Sequence, residues 1–501
     1  MIKNFSSKVF AKAIFSAIIL SSCSVSAMPL SLAESIELAL MNDETITAAE
    51  YSQESAKWSL SAAKRRKGPT FSWSSQAYRI GGRDYKTYNN LHDAYGNSQT
   101  VTTLTGYLFG DEDYPVYGSQ TVGSTAYKNT FANTLGISIP IYTGGQLEGN
   151  IKSREYSLNA ADMSVEDARQ TIKYQTTQAY YNVLQQQNAV KTNQSAIDMA
   201  LGQLKLLREQ YEAGTIAYSE VLQMEVQLAN YQNNVTDAES NLSVAKERLL
   251  SIIGMPAGAE IELTEEFLYS AYPQTLEECL IFAEENRPDL AAAIYNVKQA
   301  EASVDSAKSG NRPTVTGNAS KSISANQPFQ DERSSNWQAG IALSWSIFDN
   351  QVTSANVKAA KAEVESLKTV ADATEKQIKL QVRSAYTQMK AAEKKISSTE
   401  NAVKQAATSY EIAQVRYEEG VDILLNVTDA QDKLTRARTN YYTALYEYNL
   451  YRAQLEKAMG MPVGLYVPKY ISAEQEGKTS PKALKESEII EVNTPFEQTT
   501  E

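Results

Sequence analysis

Few residues of this sequence could perform covalent chemistry. The chain has one histidine, His92, in a polar segment rich in glycine and tyrosine, and two cysteines, Cys23 and Cys279. Cys279 falls in an amphipathic helical pattern without a histidine partner, so we interpret it as a packed thiol and not as a nucleophile. The glycine pairs do not follow the strand-to-helix phosphate fingerprint. The sequence therefore predicts no enzyme, no cofactor and no metal centre.

The polar residues with the most suggestive spacing follow the second of two glycine-marked chain reversals. Asp422, Asn426 and Asp429 are separated by four and three residues, which is the spacing of side chains on one face of a helix. Several copies of the chain around an axis would arrange them as rings, whose chemistry is electrostatic. Such rings need long helices and more than one copy of the chain.

The N-terminus has the features of a secretory signal peptide covering residues 1–27. Three lysines precede an apolar run of ~8 residues, which is too short to span a bilayer. Two processing sites fit. Cleavage after Ala27 is favoured because an ordered helix is expected to open at Leu30, whereas a lipobox would leave a lipidated Cys23.

Charge and hydropathy limit the remaining functions. The formal net charge is −12, and removal of residues 1–27, with three lysines and no acid, would leave −15. Nucleic acid is therefore not expected as a partner, and a channel lined by several copies of such a chain would favour cations. After Ala27 there is no apolar stretch of the ~18 residues that a membrane-spanning helix needs, so any spanning segment must be a β-strand.

An internal repeat explains the length of 501 residues. Residues 31–69 align without a gap with residues 275–313 at an offset of 244, and the second reversal follows the first at an offset of 206. The sequence thus predicts a first repeat at 28–270, a second at 271–464 and a polar, disordered periplasmic tail at 465–501.

Each repeat is expected to supply two strands. Residues 131–141 and 337–347 alternate apolar and polar side chains, and 69–80 and 313–324 are their weaker partners. Strands of about ten residues with one apolar face and aromatic ends are typical of outer-membrane barrels. Four strands cannot close a barrel, so subunits must share one. The insertion at 81–128 is predicted to be an extracellular loop.

Long helices are expected to follow the strands. Residues 145–211 and 351–417 contain no proline, and their apolar residues recur every three or four positions among many amides and hydroxyls. Gly214 and Gly420 end them, and shorter return helices follow at 217–252 and 424–458. One opening helix precedes the strands in each repeat, at 31–66 and 276–308. This pattern favours a coiled-coil wall that has one side in contact with water.

These features resemble the TolC-like outer-membrane efflux protein family over most of the chain up to about Gly464. The resemblance rests on the opening helix LSLAESIELALMNDETI, the corner PIYTGG and its degenerate copy SIFDNQ, and the tip YEEGVDILLNVTDAQDKL followed by NYYTALYEYNLYRAQLEKAMG. It implies a mainly α fold in a homotrimer, with a twelve-stranded membrane β-barrel and a periplasmic α-helical barrel. It also implies passive export, with a periplasmic adaptor and an inner-membrane pump of the RND, ABC or MFS class as partners.

The same resemblance implies roles for residues at the tip. Asp422, Asn426 and Asp429 would form the gate constriction, and Tyr417 bonded to Glu220 would hold the tip closed. Asp422 stands where some members have an arginine, which reduces a second closing link to a weak bond with Ser219. The residues expected to face the adaptor are Tyr211, Gly214, Thr215, Gly420 and Val421.

Two other classes remain open at this stage. A trimeric coiled-coil adhesin would need a surface head, and the insertion at 81–128 is short for one. A soluble periplasmic scaffold would not need the lipid-compatible aromatic residues Trp73, Trp337 and Trp345.

Overall fold

The computed structural model describes residues 28–79, 99–107, 115–122, 129–267, 269–325 and 333–463, and these are mostly helical. The expected signal peptide with Cys23, the larger part of the insertion with His92, and the tail from 464 onward lie outside the described residues. No helix in the described ranges combines the length and the apolar composition needed to cross a bilayer.

The elements follow the same order in both halves of the chain, apart from the insertion. The first half contains β1 (Met28–Leu30), α1 (Leu32–Asn42), α2 (Glu44–Arg65), β2 (Thr70–Arg79), β3 (Gln99–Tyr107), β4 (Pro115–Val122), β5 (Asn129–Tyr142), α3 (Gln146–Glu212) and α4 (Tyr218–Ile253). The second half contains β6 (Ile261–Leu263), α5 (Leu276–Asn286), α6 (Pro288–Ala307), β7 (Thr314–Ala325), β8 (Ser334–Ser344), α7 (Val352–Glu418) and α8 (Leu424–Met459).

The bounds of the long and return helices agree with the sequence within two residues, but each opening helix is two helices. α1 begins with a capping box in which Ser31 and Glu34 bond each other's backbone N–H groups. It ends at Asp43, whose backbone is extended and whose carboxylate then caps α2. In the second half Arg287 is extended because Pro288 follows it. Helical periodicity continues across both breaks, so the pattern alone did not reveal them.

The chain before α1 is a short strand and not the start of a helix. β1 pairs in parallel with β6 between Met28 and Ile261 and between Leu30 and Leu263. Leu30 is fully buried, and its carbonyl accepts a hydrogen bond from the Tyr180 hydroxyl at 3.1 Å. This three-residue pairing fixes the position at which α1 begins.

Two compact units can be distinguished, and one of them, residues 57–156 and 298–366, contains the four-stranded sheet. The strands run antiparallel in the order β2-β5-β7-β8. The register places Trp73 opposite Leu135 and Lys321 opposite Trp337, so side chains of one parity share a face. That face is exposed, and it is apolar apart from Lys321. It carries Phe71, Trp73, Leu135, Ile137, Ile139, Ile341, Leu343 and Trp337.

The corners that join sheet and helix need left-handed backbone. Gly144 and Gly145 have φ of 66° and 93°, and Arg312 donates a hydrogen bond to the Gly144 carbonyl at 3.0 Å. Their equivalents in the second half, Asn350 and Gln351, keep this conformation with φ of 53° and 66° although they carry side chains. The degenerate copy of the corner therefore conserves its geometry.

The other unit, residues 28–56, 157–297 and 367–463 of the described chain, contains α1, α4, α5 and α8 and the larger parts of α3 and α7. In each half the short opening helix packs against the long and return helices, so that Ala39 joins Ile172 and Leu249 in one core and Cys279 joins Val382 in the other. A third core lies near the reversals. It combines Leu207 and Val221 from one hairpin with Tyr417, Leu424 and Val427 from the other.

Four helices of this unit end in the same way. α3, α4, α7 and α8 are each followed by a glycine with φ between 71° and 74°, namely Gly214, Gly254, Gly420 and Gly460. At Gly460 the N–H of Met461 reaches back to the Glu456 carbonyl at 3.0 Å, which is the Schellman arrangement. A side chain at these positions meets a conformational penalty, and at some of them it also meets crowding.

Gly460 and Gly420 allow these two penalties to be separated. A Cβ on Gly460 would lie 2.8 Å from the Asn286 carbonyl oxygen, whereas a Cβ on Gly420 would meet no atom within 4 Å. Both substitutions to alanine cost about 1 kcal/mol for the left-handed backbone. We expect Gly460→Ala to lower the midpoint of thermal unfolding, followed by circular dichroism, clearly more than Gly420→Ala. Equal midpoints would contradict the crowding argument.

Candidate functional site at the helical hairpin tips

The two reversals expected from the glycines join α3 to α4 and α7 to α8. Gly214 has φ of 71° and Gly420 has φ of 73°, and in each turn the next N–H bonds the carbonyl five residues earlier. The Thr215 hydroxyl also donates to the Gln210 carbonyl at 2.8 Å. Thr215 and Val421 are both exposed at the turns, as the predicted contact role requires.

A tyrosine and a carboxylate link the two hairpins at their tips. The hydroxyl of Tyr417, at the end of α7, donates to Glu220 Oε2 on the first turn of α4 at 2.9 Å. Gln210 Oε1 lies 3.5 Å from the same hydroxyl, but one O–H hydrogen serves one good acceptor, and Glu220 is the closer. The sequence-predicted pair is thus in contact, and Gln210 is a neighbour that sequence reasoning missed.

Burial distinguishes Tyr417 from an ordinary residue at a helix end. Its side chain is 7% exposed and belongs to the apolar core at the tips. Burial, and then the bond to Glu220, raise the pKa of the Tyr417 hydroxyl. The hydroxyl therefore stays protonated through the neutral range, and the stabilisation that it provides is lost only at strongly alkaline pH.

The equivalent tyrosine in the first half has a different environment. Tyr211 precedes Tyr417 by the same offset of 206 that relates Gly214 to Gly420, yet it is 45% exposed and packs against the Tyr218 ring at 5.2 Å. Its side chain is accessible for the predicted contact with the adaptor, which stays a prediction. Of the two related tyrosines, the one in the second half joins the hairpins.

The predicted gate residues are close together, but they do not form one continuous helical face. α8 begins at Leu424 with Ile423 as its N-cap, so Asp422 precedes the helix and only Asn426 and Asp429 lie on it. The expected helical spacing from Asp422 was wrong because its carboxylate accepts the Ile423 N–H and the Asn426 amide at the turn. These bonds keep the pKa of Asp422 below its usual value.

Partners on the same hairpin compensate both aspartates of the predicted gate. Arg416 Nε lies 3.4 Å from Asp422 Oδ2, and Lys433 Nζ lies 2.6 Å from Asp429 Oδ2. Ser219 is exposed on α4, and the weak second link suggested between it and Asp422 stays a prediction. The spacing of Lys433 from Asp429 could have revealed that pair in the sequence.

A second tyrosine–carboxylate pair joins the hairpins farther from the tips, and sequence reasoning missed it. Tyr231 on α4 donates to Asp432 Oδ1 on α8 at 2.7 Å, and burial and this bond raise the pKa of the tyrosine. Gln227 Nε2 lies 3.4 Å from the same oxygen. No short motif marks the pair, since its members are 201 residues apart.

An acidic cavity of about 830 Å³ lies between the two tips. Its walls include apolar side chains of both hairpins, such as Ile216 and Leu425. Five carboxylates also line it, with no lysine or arginine among the lining residues. These are Glu209, Glu220, Glu418, Glu419 and Asp422. The arrangement suits a protruding partner that carries positive charge.

Cys279, which the sequence predicts to be a packed thiol, is buried and lies away from the tips. Cys279 packs in the core of the second half, and burial raises the pKa of its thiol, which disfavours the reactive thiolate. Within the described parts of the chain, no group of three or more histidine, cysteine, aspartate or glutamate side chains is placed to hold a metal ion.

Removing the Tyr417–Glu220 hydrogen bond should make the hairpin tips locally less ordered. Tyr417→Phe keeps the ring in its core but leaves Glu220 without its hydroxyl donor, at a cost of about 1.5–3 kcal/mol. Amide hydrogen exchange should therefore accelerate around residues 208–222 and 414–426. Tyr211→Phe is the matched control, because its ring contact with Tyr218 survives. Similar exchange in both variants would contradict a specific bond.

The chain is similar in sequence to known outer-membrane proteins. The family model described as outer membrane efflux protein matches residues 35–255 and 282–461. Outer membrane protein TolC of Escherichia coli K12 is 23% identical over 319 residues, which cover 61% of this chain and 65% of TolC. The cobalt-zinc-cadmium resistance protein CzcC of Cupriavidus metallidurans is 26% identical over 345 residues, covering 66% of this chain and 78% of CzcC.

A solved structure extends the similarity to the fold. The outer membrane protein VceC of Vibrio cholerae superposes with a TM-score of 0.68 at 19% identity, and the match covers 86% of this chain and 96% of VceC. Because the family model matches most of the chain in two consecutive segments, the chain belongs to the outer membrane efflux protein family.

Proposed function

We propose that the protein is the passive outer-membrane exit duct of a tripartite efflux or type I secretion system. Membership of the efflux protein family, together with the VceC-like fold, is the observation that carries this proposal. In this function the chain catalyses no reaction and needs no cofactor. It conducts substrates that an inner-membrane pump of the RND, ABC or MFS class and a periplasmic adaptor deliver.

The four-stranded sheet is the membrane part of the proposed duct. Apart from Lys321, one face carries exposed apolar side chains and the other carries polar ones, as expected for strands between lipid and water. Trp337 in β8 and Trp345 just beyond its end are eight residues apart, on the order of 25 Å of extended chain, which suits the two edges of an apolar band. Three copies of the sheet give the twelve strands of a closed barrel in a homotrimer embedded in outer-membrane lipid.

The helices form the periplasmic tunnel in this proposal. The repeats at 28–270 and 271–464 each contribute a two-stranded part of the sheet and one long helical hairpin. The identical order of elements in both halves supports this division. The insertion at 81–128 is the proposed extracellular part, and the hairpin tips are the proposed periplasmic part.

The tips are the proposed gate. In a trimer the Tyr417–Glu220 bond occurs three times, and each charge-assisted bond contributes about 1.5–3 kcal/mol when shielded from water. Three such bonds can shift a two-state equilibrium by several powers of ten towards the closed form. The second tie, Tyr231 to Asp432, adds to the same closed state.

The acidic cavity between the tips is the proposed adaptor site. The carboxylates of the cavity would pair with basic residues of the adaptor. The apolar walls at Ile216 and Leu425 would pack against apolar side chains of the adaptor. Tyr211, Thr215 and Val421 border this site and are exposed. Binding there would compete for Glu220 and weaken the closing bond to Tyr417.

A planar bilayer recording tests the duct and its gate together. The wild-type protein should fractionate with the outer membrane and conduct weakly at rest, because the tips are held closed. Tyr417→Phe combined with Glu220→Ala should raise the resting conductance at least about ten-fold, since three closing bonds are lost.

The control for this recording is Tyr211→Phe, which leaves the closing bond intact. A protein found in the soluble periplasmic fraction and inactive in bilayers would favour a scaffold, and surface adhesion without conductance would favour an adhesin. Either result would refute the exit-duct proposal. Wild-type conductance in the double variant would place the gate elsewhere.

Crosslinking tests the adaptor site separately. Thr215→Cys should form a disulfide with a cysteine placed at the tip of a co-expressed adaptor, because Thr215 is exposed at the turn beside the acidic cavity. Trp345→Cys, in the sheet unit, is the control that should not crosslink. The proposed docking site would be wrong if no position across both tips gave a crosslinked product.

A further inference from the structure

Beyond the predicted gate residues, the exposed face of α8 carries positively charged side chains. Asn426, Asp429, Lys433 and Arg436 follow one another at spacings of three or four residues, and all are exposed. Lys433 Nζ lies 2.6 Å from Asp429 Oδ2, and the two side chains are 68% and 56% exposed. An exposed pair of this kind contributes little to stability, so its effect on the surrounding potential matters more.

Lys433 changes the field that Asp429 would otherwise produce. Opposite charges 2.6 Å apart act at larger distances as a dipole, whose potential falls more steeply than that of a single carboxylate. Arg436 lies one turn farther along the face and adds a positive charge to it. On this exposed face of α8, one charged side chain is negative and two are positive.

The neighbouring carboxylates differ: Asp422 and Asp432 already have partners, whereas Glu418 and Glu419 lie at the tip beside the acidic cavity. Asp422 is 3.4 Å from Arg416 on its own hairpin. Asp432 accepts the hydroxyl of Tyr231 and lies on the side of α8 that faces α4. The large negative charge of the whole chain acts from farther away, and at ~0.1 M salt it is screened over about 10 Å. The local sequence of charges therefore determines the potential at the constriction.

We propose that Lys433 is a selectivity-determining residue of the exit: it cancels the charge of the Asp429 ring, so that the constriction admits anionic cargo as readily as cationic cargo. This inference rests on the exit-duct function proposed above and assigns a substrate class to its gate. The cation preference expected from the net charge of the chain does not hold at the constriction. Arg436 acts in the same direction and extends the anion-tolerant stretch.

The test measures ion selectivity in an open-tip parent, Tyr417→Phe with Glu220→Ala, in a planar bilayer under a ten-fold KCl gradient at low ionic strength. Adding Lys433→Gln should raise the ratio of potassium to chloride permeability at least about three-fold, because three uncompensated carboxylates then face the pore. Adding Asp429→Asn should lower the ratio, and the two changes together should return it close to that of the parent.

The matched control is Lys404→Gln. Lys404 pairs with Glu400 at 2.8 Å in the same i,i+4 geometry and is 69% exposed, but it lies on α7 away from the tip. Its loss should leave selectivity unchanged, and circular dichroism melts should show that every variant is folded.

The outcomes separate the two proposals. If Lys433→Gln selects ions like Lys404→Gln in a conducting parent, the selectivity role is overturned while the duct stands. If the parent does not conduct at all, the exit-duct proposal falls, and this one falls with it.

Discussion

The apolar face of the four-stranded sheet needs a cover that the described part of the chain does not provide. Every residue of β8 is exposed, and Trp337, Ile341 and Leu343 project from the same side of it. Leaving apolar surface in water costs about 25 cal/mol per Å², so a single chain with this sheet is incomplete in solution. Lipid on one face and other subunits at the strand edges satisfy the sheet in the proposed trimer. The exposed apolar side chains of the helices, such as Val226 on α4 and Ile412 on α7, have the same requirement.

The proposed function places a different requirement on the hairpin tips, because a gate must be able to open. Apolar packing at the tips is confined to a small core around Leu207, Val221 and Val427, and polar bonds provide the remaining contacts between hairpins. A single hydrogen bond contributes little net stability, so a few of them hold a closed state without making it permanent. Tyrosine suits this use, since its ring packs in the core while its hydroxyl reaches a carboxylate at the edge.

Regular periodicity made most of this fold predictable. The alternation through residues 131–141 and the long helical patterns gave strands and helices with nearly correct ends, and the glycines marked the reversals. The breaks at Asp43 and Arg287 were missed because the apolar period runs through them, and β1 was missed because three residues carry no period. At the site, Tyr417 and Glu220 came from family resemblance, whereas Tyr231 and Asp432 meet only through tertiary packing between distant segments.

The two hairpins differ in charge at three positions near their tips. At the offset of 206, Gln210, Gln223 and Gln227 in the first hairpin stand where the second has Arg416, Asp429 and Lys433. Amides keep the hydrogen-bonding capacity of these positions but carry no field of their own. In the proposed trimer these three positions are therefore charged on three hairpins and uncharged on the three hairpins between them. Like charges then lie on alternate hairpins, twice as far apart around the ring as in six identical copies, so their mutual repulsion opposes closure less. The divergence of the repeat allows a closed tip to retain charged residues.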